Sequence, residues 1–140
     1  MSVAQTASFS IHTKGRNDCV NVTGQVQDAV KRGKLTEGVA TVFVSGSTAG
    51  VTTIEFEPGV VQDLSDALRR LFPENLHYAH HKSVGDDNGF SHLRASLLGP
   101  SLTIPVAKGR LQLGTWRQIV IVDCDTHPRQ RTVLVQLLGV

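Results

Sequence analysis

At 140 residues, 40% of them hydrophobic and 19% charged, the chain has the length and composition of one globular domain able to fold without disulfide or metal staples. A net charge of +2 argues against a nucleic-acid partner, since only Lys31-Arg32 and Arg69-Arg70 come as basic pairs. No run approaches the roughly 18 apolar residues of a membrane span, the first six residues carry no signal-peptide pattern, and Cys19 and Cys124 fit no CxxC spacing, so a cytoplasmic protein with two free, buried thiols and no membrane contact is expected.

Ala7-Ser8-Phe9-Ser10-Ile11-His12 alternates apolar and polar residues, the period of a half-buried strand. Thr23 stands as an N-cap before a weakly encoded helix over 24–34, with Val26, Ala29 and Val30 inward and Gly33 near its end. The stretch VATVFVSGSTAGVTTIEFEPG is the clearest architecture. Its apolar run over 39–44 and β-branched run over 51–54 predict two strands around a loop of small residues. Pro58-Gly59 closes the second strand, and Val60, Val61, Leu64, Leu68, Leu71 and Phe72 recur at helical spacing up to Pro73, which sets the main helix at about 59–72. HYAHHKSVGDDNGF, residues 77–90, has little apolar cover. With Pro73 ahead of it and Gly85-Asp86-Asp87-Asn88-Gly89 inside it, the segment predicts an extended loop turning at Asp86 and Asp87. Three strands follow, over 102–106, 116–122 and 131–138, with turns at Lys108-Gly109 and Thr126-His127-Pro128 and with Trp116 in the core. Helices and strands are segregated, so the expectation is a single α+β domain over 1–140 with mostly antiparallel sheet.

Imidazole suits zinc and related metals, but a site takes three or four converging donors. His77, His80 and His81 fit no HExxH pattern, and hydrogen-bonded or surface histidines are the alternative. Ser45-Gly46-Ser47-Thr48-Ala49-Gly50 follows a strand, so its N–H groups and hydroxyls could approach an anion. It lacks the GK[ST] of a P-loop and leads into a strand, which leaves a tight turn as the other reading. Arg129 and Arg131 sit two apart where the last strand begins, so their guanidinium groups can point one way as an anion clamp, or stand as a surface pair. Lys108 and Arg110 repeat that spacing. Glu55, Glu57, Asp63 and Asp123 lie near strand or helix ends, placed as ligands or bases, or simply solvated.

GSTAGVTTIE, YAHH, NGFSHLRASLLGPSLTIPVAKGRLQLGTW and PRQR together resemble the YjbQ family, described as secondary thiamine-phosphate synthase enzymes, from about Phe9 to Gly139. The most specific series is His80, His92-Leu93, Leu98-Gly99, Pro105-Val106, Gly109, Gly114-Thr115-Trp116 and Arg129-x-Arg131. The resemblance implies a compact α+β fold assembled as a homotrimer, with a polar pocket holding a metal or an anion near the histidines. It makes His80 and His92 the first candidates for catalysis and metal contact, with His81 as a further donor and Asp63 and Glu55 as carboxylates able to help hold Mg²⁺. Ser47, Thr48, Lys108, Thr115, Arg117, Arg129 and Arg131 become the candidate phosphate contacts. The implied reaction couples a pyrimidine-methyl diphosphate to a thiazole phosphate and releases pyrophosphate, with a divalent metal, Mg²⁺ or Zn²⁺, as cofactor. Two other readings remain: a metal-dependent enzyme on another small phosphorylated metabolite, and a non-catalytic trimeric anion-binding module. Departures from the family pattern fall at the site itself. Gly46 stands where many members have histidine, His81 where asparagine is common, Arg117 where glutamine is usual, and Asp123 where glutamate is usual.

Overall fold

The structure, a computed structural model, describes residues 2–140. Its strands are β1 (Val3–Thr13), β2 (Asp18–Asn21), β3 (Gly38–Val44), β4 (Ala49–Glu55), β5 (Ser101–Ala107), β6 (Arg110–Leu111), β7 (Arg117–Asp123) and β8 (Arg129–Gly139). The helices are α1 (Thr23–Arg32), α2 (Pro58–Leu71), α3 (Ala79–Val84) and α4 (Gly89–Leu98). A five-stranded sheet runs in the order β1-β8-β3-β5-β6 and a three-stranded sheet in the order β2-β7-β4. Every pairing is antiparallel, as expected of an α+β chain with short connections.

The apolar pattern explains the layering. On β8 only alternate residues, Val133, Val135 and Leu137, are buried against the first core, which suits a sheet with one covered face. On β7 the run Ile119 to Val122 is buried without alternation. Ile119 and Ile121 belong to the core shared with the large sheet and α1, while Val120 and Val122 join Leu68 of α2 and Cys124 in a second core on the opposite face. The small sheet is therefore the middle layer. Its continuous apolar run is what a strand covered on both faces requires.

Several expectations are corrected. The histidine segment is not an extended loop but parts of two helices, α3 and α4, broken at Gly85, whose φ of 83° supplies the left-handed C-cap. Asp86 and Asp87 lie in the break, where the turn was expected. Trp116 lies outside the core, 70% exposed at the entrance to β7. Thr23 opens α1 but does not cap it; its hydroxyl accepts from the Ile119 N–H at 2.8 Å and so ties the helix to β7. Both cysteines are free, Cys124 buried and Cys19 half-buried, and burial pushes their thiols up to about 12 and about 11. The main helix keeps its expected place. Glu57 caps it by accepting from the N–H groups of Gly59 and Val60, with Pro58 in the first turn. No helix of the described residues is long and apolar enough to cross a membrane.

Candidate functional site

Asp123 ends β7, and Asp125 follows two residues on, so both carboxylates leave the strand toward the start of β8. Both are buried, and every contact made to their oxygens is a donor. Asp123 Oδ2 accepts from the Thr13 hydroxyl at 2.6 Å and Arg131 Nε at 2.7 Å, and its Oδ1 accepts from Arg131 Nη2 and from the Asp125 N–H, each at 3.0 Å. Asp125 Oδ2 accepts from the Thr48 hydroxyl at 3.0 Å and Arg129 Nε at 2.9 Å, while its Oδ1 takes the Thr126 N–H at 2.8 Å and Asn88 Nδ2 at 3.4 Å. Arg131 Nη2 also donates to the Thr48 hydroxyl at 2.6 Å and closes the network. Burial alone would raise both carboxyls. These hydrogen bonds and the guanidinium charges outweigh it, holding Asp123 below its ordinary value and Asp125 down to about 2.

The histidines join this network through Asn88. Asn88 Oδ1 lies 3.0 Å from His80 Nε2, and the His80 and His92 ring centres are 4.5 Å apart with the planes tilted at 59°. The break between α3 and α4 makes that pairing, because it folds α3 back so that a residue of each helix meets the other. His81 turns differently. Its Nε2 accepts from the Gly89 N–H at 3.1 Å, which ties the two helices together.

The structure thus brings together His80, His92, Thr48, Arg129 and Arg131, with His81 next to them and Ser47 exposed beside Thr48. The arginines do not stand free as an open anion fork. Arg131 is spent on Asp123 and Thr48, and Arg129 pairs with Asp125 while keeping a side chain 44% exposed. The remaining candidates lie elsewhere. Glu55 pairs across the β4–β7 ladder with Arg117, at the opposite end from the Ala49–Asp123 pair, which is roughly 20 Å along the strand. Arg117 donates to the Thr53 hydroxyl at 2.7 Å and, with Thr53, Ser101 and Thr103, borders a separate cleft of about 400 Å³. Thr115 precedes that end of β7 and is exposed, Asp63 is exposed on α2, and Lys108 sits on the β5–β6 turn. Sequence reasoning missed Asp125 and Asn88. The Asp-x-Asp spacing at the end of β7 was the available signal for the first; Asn88 was hidden inside a string of turn formers.

Gly46 stands where the resemblance leads to an expectation of histidine. Its φ is +97°, and a Cβ there would run into Nη1 of Arg131. A histidine at this position would need strained backbone and a displaced guanidinium. As for a metal, no group of three or more His, Cys, Asp or Glu side chains converges among the described residues. His80 and His92 meet, but His81 Nε2 is engaged by Gly89 and the two aspartates by arginines, so the donor set fits no resident centre of three protein ligands.

The family model described as "UPF0047 protein YjbQ-like" matches residues 7–140, nearly the whole chain. The chain belongs to the YjbQ/UPF0047 family. Among its YjbQ relatives, the UPF0047 protein MJ1081 of Methanocaldococcus jannaschii is 33% identical over 132 residues, covering 94% of this chain and 92% of its own. The crystal structure of hypothetical protein APE1520 from Aeropyrum pernix superposes with a TM-score of 0.88 at 34% identity, covering 96% of this chain and 98% of that one. A YbjQ-like protein of unknown function from Sulfolobus solfataricus superposes with a TM-score of 0.87 at 28% identity, covering 97% and 99%. The YjbQ fold is therefore shared over nearly the whole chain.

Proposed function

We propose that this chain is an enzyme acting on a small phosphorylated metabolite at the His80–His92 cluster, and that it supports, as a secondary activity, the coupling of a pyrimidine-methyl diphosphate to a thiazole phosphate. One observation carries the reading: two imidazoles with ring centres 4.5 Å apart are linked through Asn88 to the buried Asp125, whose carboxylate also fixes the half-exposed Arg129 guanidinium. In the coupling, the thiazole ring nitrogen attacks the methylene carbon, the carbon–oxygen bond to the diphosphate breaks, and the bonding pair leaves with pyrophosphate. What the protein must supply is orientation and positive hydrogen-bond donors at the departing oxygens. Arg129 and the His92 ring N–H are the donors this reading assigns to that role. Because Asp125 already neutralises part of the Arg129 charge, the site holds a phosphate by donor geometry more than by net charge.

A divalent cation enters this proposal with the substrate. Mg²⁺ takes most of its ligands from phosphate oxygens and water, so it needs no three-histidine centre. Assembly as a homotrimer belongs to the proposal too, supported by the large apolar side chains left at the surface, Trp116 at 70%, Val84 at 62% and Leu97 at 60%.

Incubation with both substrates and Mg²⁺, followed by chromatography, is expected to yield thiamine phosphate with one pyrophosphate per product. His92→Gln should lower the rate about a hundredfold or more while leaving the fold intact. Release of inorganic phosphate without coupled product would favour the second reading, hydrolysis of a different phosphorylated metabolite. Undiminished coupling in His92→Gln would remove this cluster from the reaction.

A further inference from the structure

Asn88 joins the two halves of the site through one amide. Asp125 is 1% exposed, and its ionised carboxylate can only accept, so the Asn88 group facing Oδ1 at 3.4 Å is the NH₂. The amide carbonyl must then face His80 Nε2 at 3.0 Å. A carbonyl also only accepts, so the proton of a neutral His80 ring sits on Nε2 and the lone pair on Nδ1. His81, the next residue, obeys the opposite constraint. Its Nε2 accepts from the Gly89 N–H at 3.1 Å, so a neutral ring there carries its proton on Nδ1.

We infer that Asn88, oriented by Asp125, is a positioning residue that fixes His80 in the Nε2–H form and leaves Nδ1 as its accepting atom, while Gly89 locks the adjacent His81 in the Nδ1–H form. Two neighbouring histidines are thereby held in opposite tautomers, and of the two it is His80 that keeps Nδ1 as an acceptor. The substrate group this atom recognises is a hydrogen-bond donor, an N–H or O–H, set beside the phosphate that Arg129 and His92 would hold. That catalytic meaning rests on the proposed site; the tautomer assignment does not. The rings facing His80 are His92 from α4, at 4.5 Å, and His81 from its own helix, at 6.4 Å between centres. Asn88 makes the contact with His80 that distinguishes its two nitrogens.

The test is long-range proton–nitrogen correlation on ¹⁵N-histidine-labelled protein above pH ~8, where unperturbed imidazoles are neutral. Signals are assigned with His80→Gln and His81→Gln. The expected spectrum shows His80 protonated at Nε2 and His81 protonated at Nδ1; because free imidazole already leans toward Nε2–H, the His81 inversion is the stringent half. In Asn88→Ala the His80 signals should move to the averaged pattern of exchanging tautomers while those of His81 stay in place. His80 in the Nδ1–H form, either ring averaged in the unmodified protein, or unchanged His80 signals in folded Asn88→Ala would overturn the inference. Should Asn88→Ala not fold, Asn88→Ser and the unmodified spectrum decide in the same terms. Turnover is not read, so a failed coupling assay would sink the proposed reaction and leave the tautomer result standing.

Discussion

Arg131→Met is expected to lower folding stability by about 3–5 kcal/mol in urea denaturation, the cost of breaking a buried ion pair from one side. Arg131 has 8% of its side chain exposed and Asp123 none, and their contact is 2.7 Å. Methionine fills much of the space, so the loss is chiefly electrostatic. Asp123 would keep Thr13 and the Asp125 N–H but lose both guanidinium donors, and Thr48 would lose its contact with Nη2. A buried carboxylate without its cation is the expensive product. The same pair sets the acid response. Carboxyls held below their unfolded value of ~3.9 stabilise the fold above that pH, and the contribution drains as the pH falls from about 4 toward the folded value. For Asp125 that folded value is about 2. Acid unfolding of the unmodified protein should therefore gather in this window. In Arg131→Met burial opposes ionisation of Asp123 with less to offset it, so the acid midpoint should move upward. An unchanged midpoint together with unchanged urea stability would show that the pair contributes nothing net.

Arg94→Ala is expected to cost a similar amount, about 3–5 kcal/mol, by a different route. Arg94 is fully buried on α4, yet among the described residues no carboxylate pairs with it. Its Nε and Nη2 donate to the Phe72 carbonyl at 3.2 and 2.8 Å, Nη1 donates to Asn17 Oδ1 at 3.3 Å, and the guanidinium lies 4.7 Å from the Phe90 ring centre. One side chain thus satisfies the carbonyl of Phe72, the C-cap of α2, anchors the loop before β2 and ties both to α4. Alanine would leave a cavity and two unpaired acceptors. Because α4 also carries His92, calorimetry should show a lower Tm and the His92 ring signal should broaden; an unchanged Tm would count against the clamp.

The legible parts of the sequence were those with one dominant local cause. VATVFV and VTTIE are β-branched runs around small residues, and both became strands. The main helix had its stop signal at Pro73 and its apolar spacing, and ended where expected. Failures came where a tertiary contact decided. The AHHKSV segment has no apolar face of its own, yet it is helical, and it is held to α4 where Gly89 packs closely on Tyr78 and donates its N–H to His81. Trp116 looked like core on hydrophobicity alone, but it lies just ahead of the run of β7 that both layers cover. At the site, the family series carried His80, His92 and the two arginines. Asp125 and Asn88 escaped because their importance lies in the hydrogen bonds they mediate between other residues, and one amide between a carboxylate and an imidazole leaves no pattern in spacing.

The location of the anion site is tested most directly by calorimetric titration of pyrophosphate with Mg²⁺ into the unmodified protein and into Arg129→Gln and His92→Gln, each shown to be folded by circular dichroism. Saturable binding to the unmodified protein is expected, with at least about tenfold weaker binding in either variant, since each removes a hydrogen-bond donor to the phosphate and such bonds to a charged group are worth roughly 1.5–3 kcal/mol. Equal affinity in all three would contradict it and move the phosphate away from the histidine pair, with the cleft beside Arg117 as the next place to look.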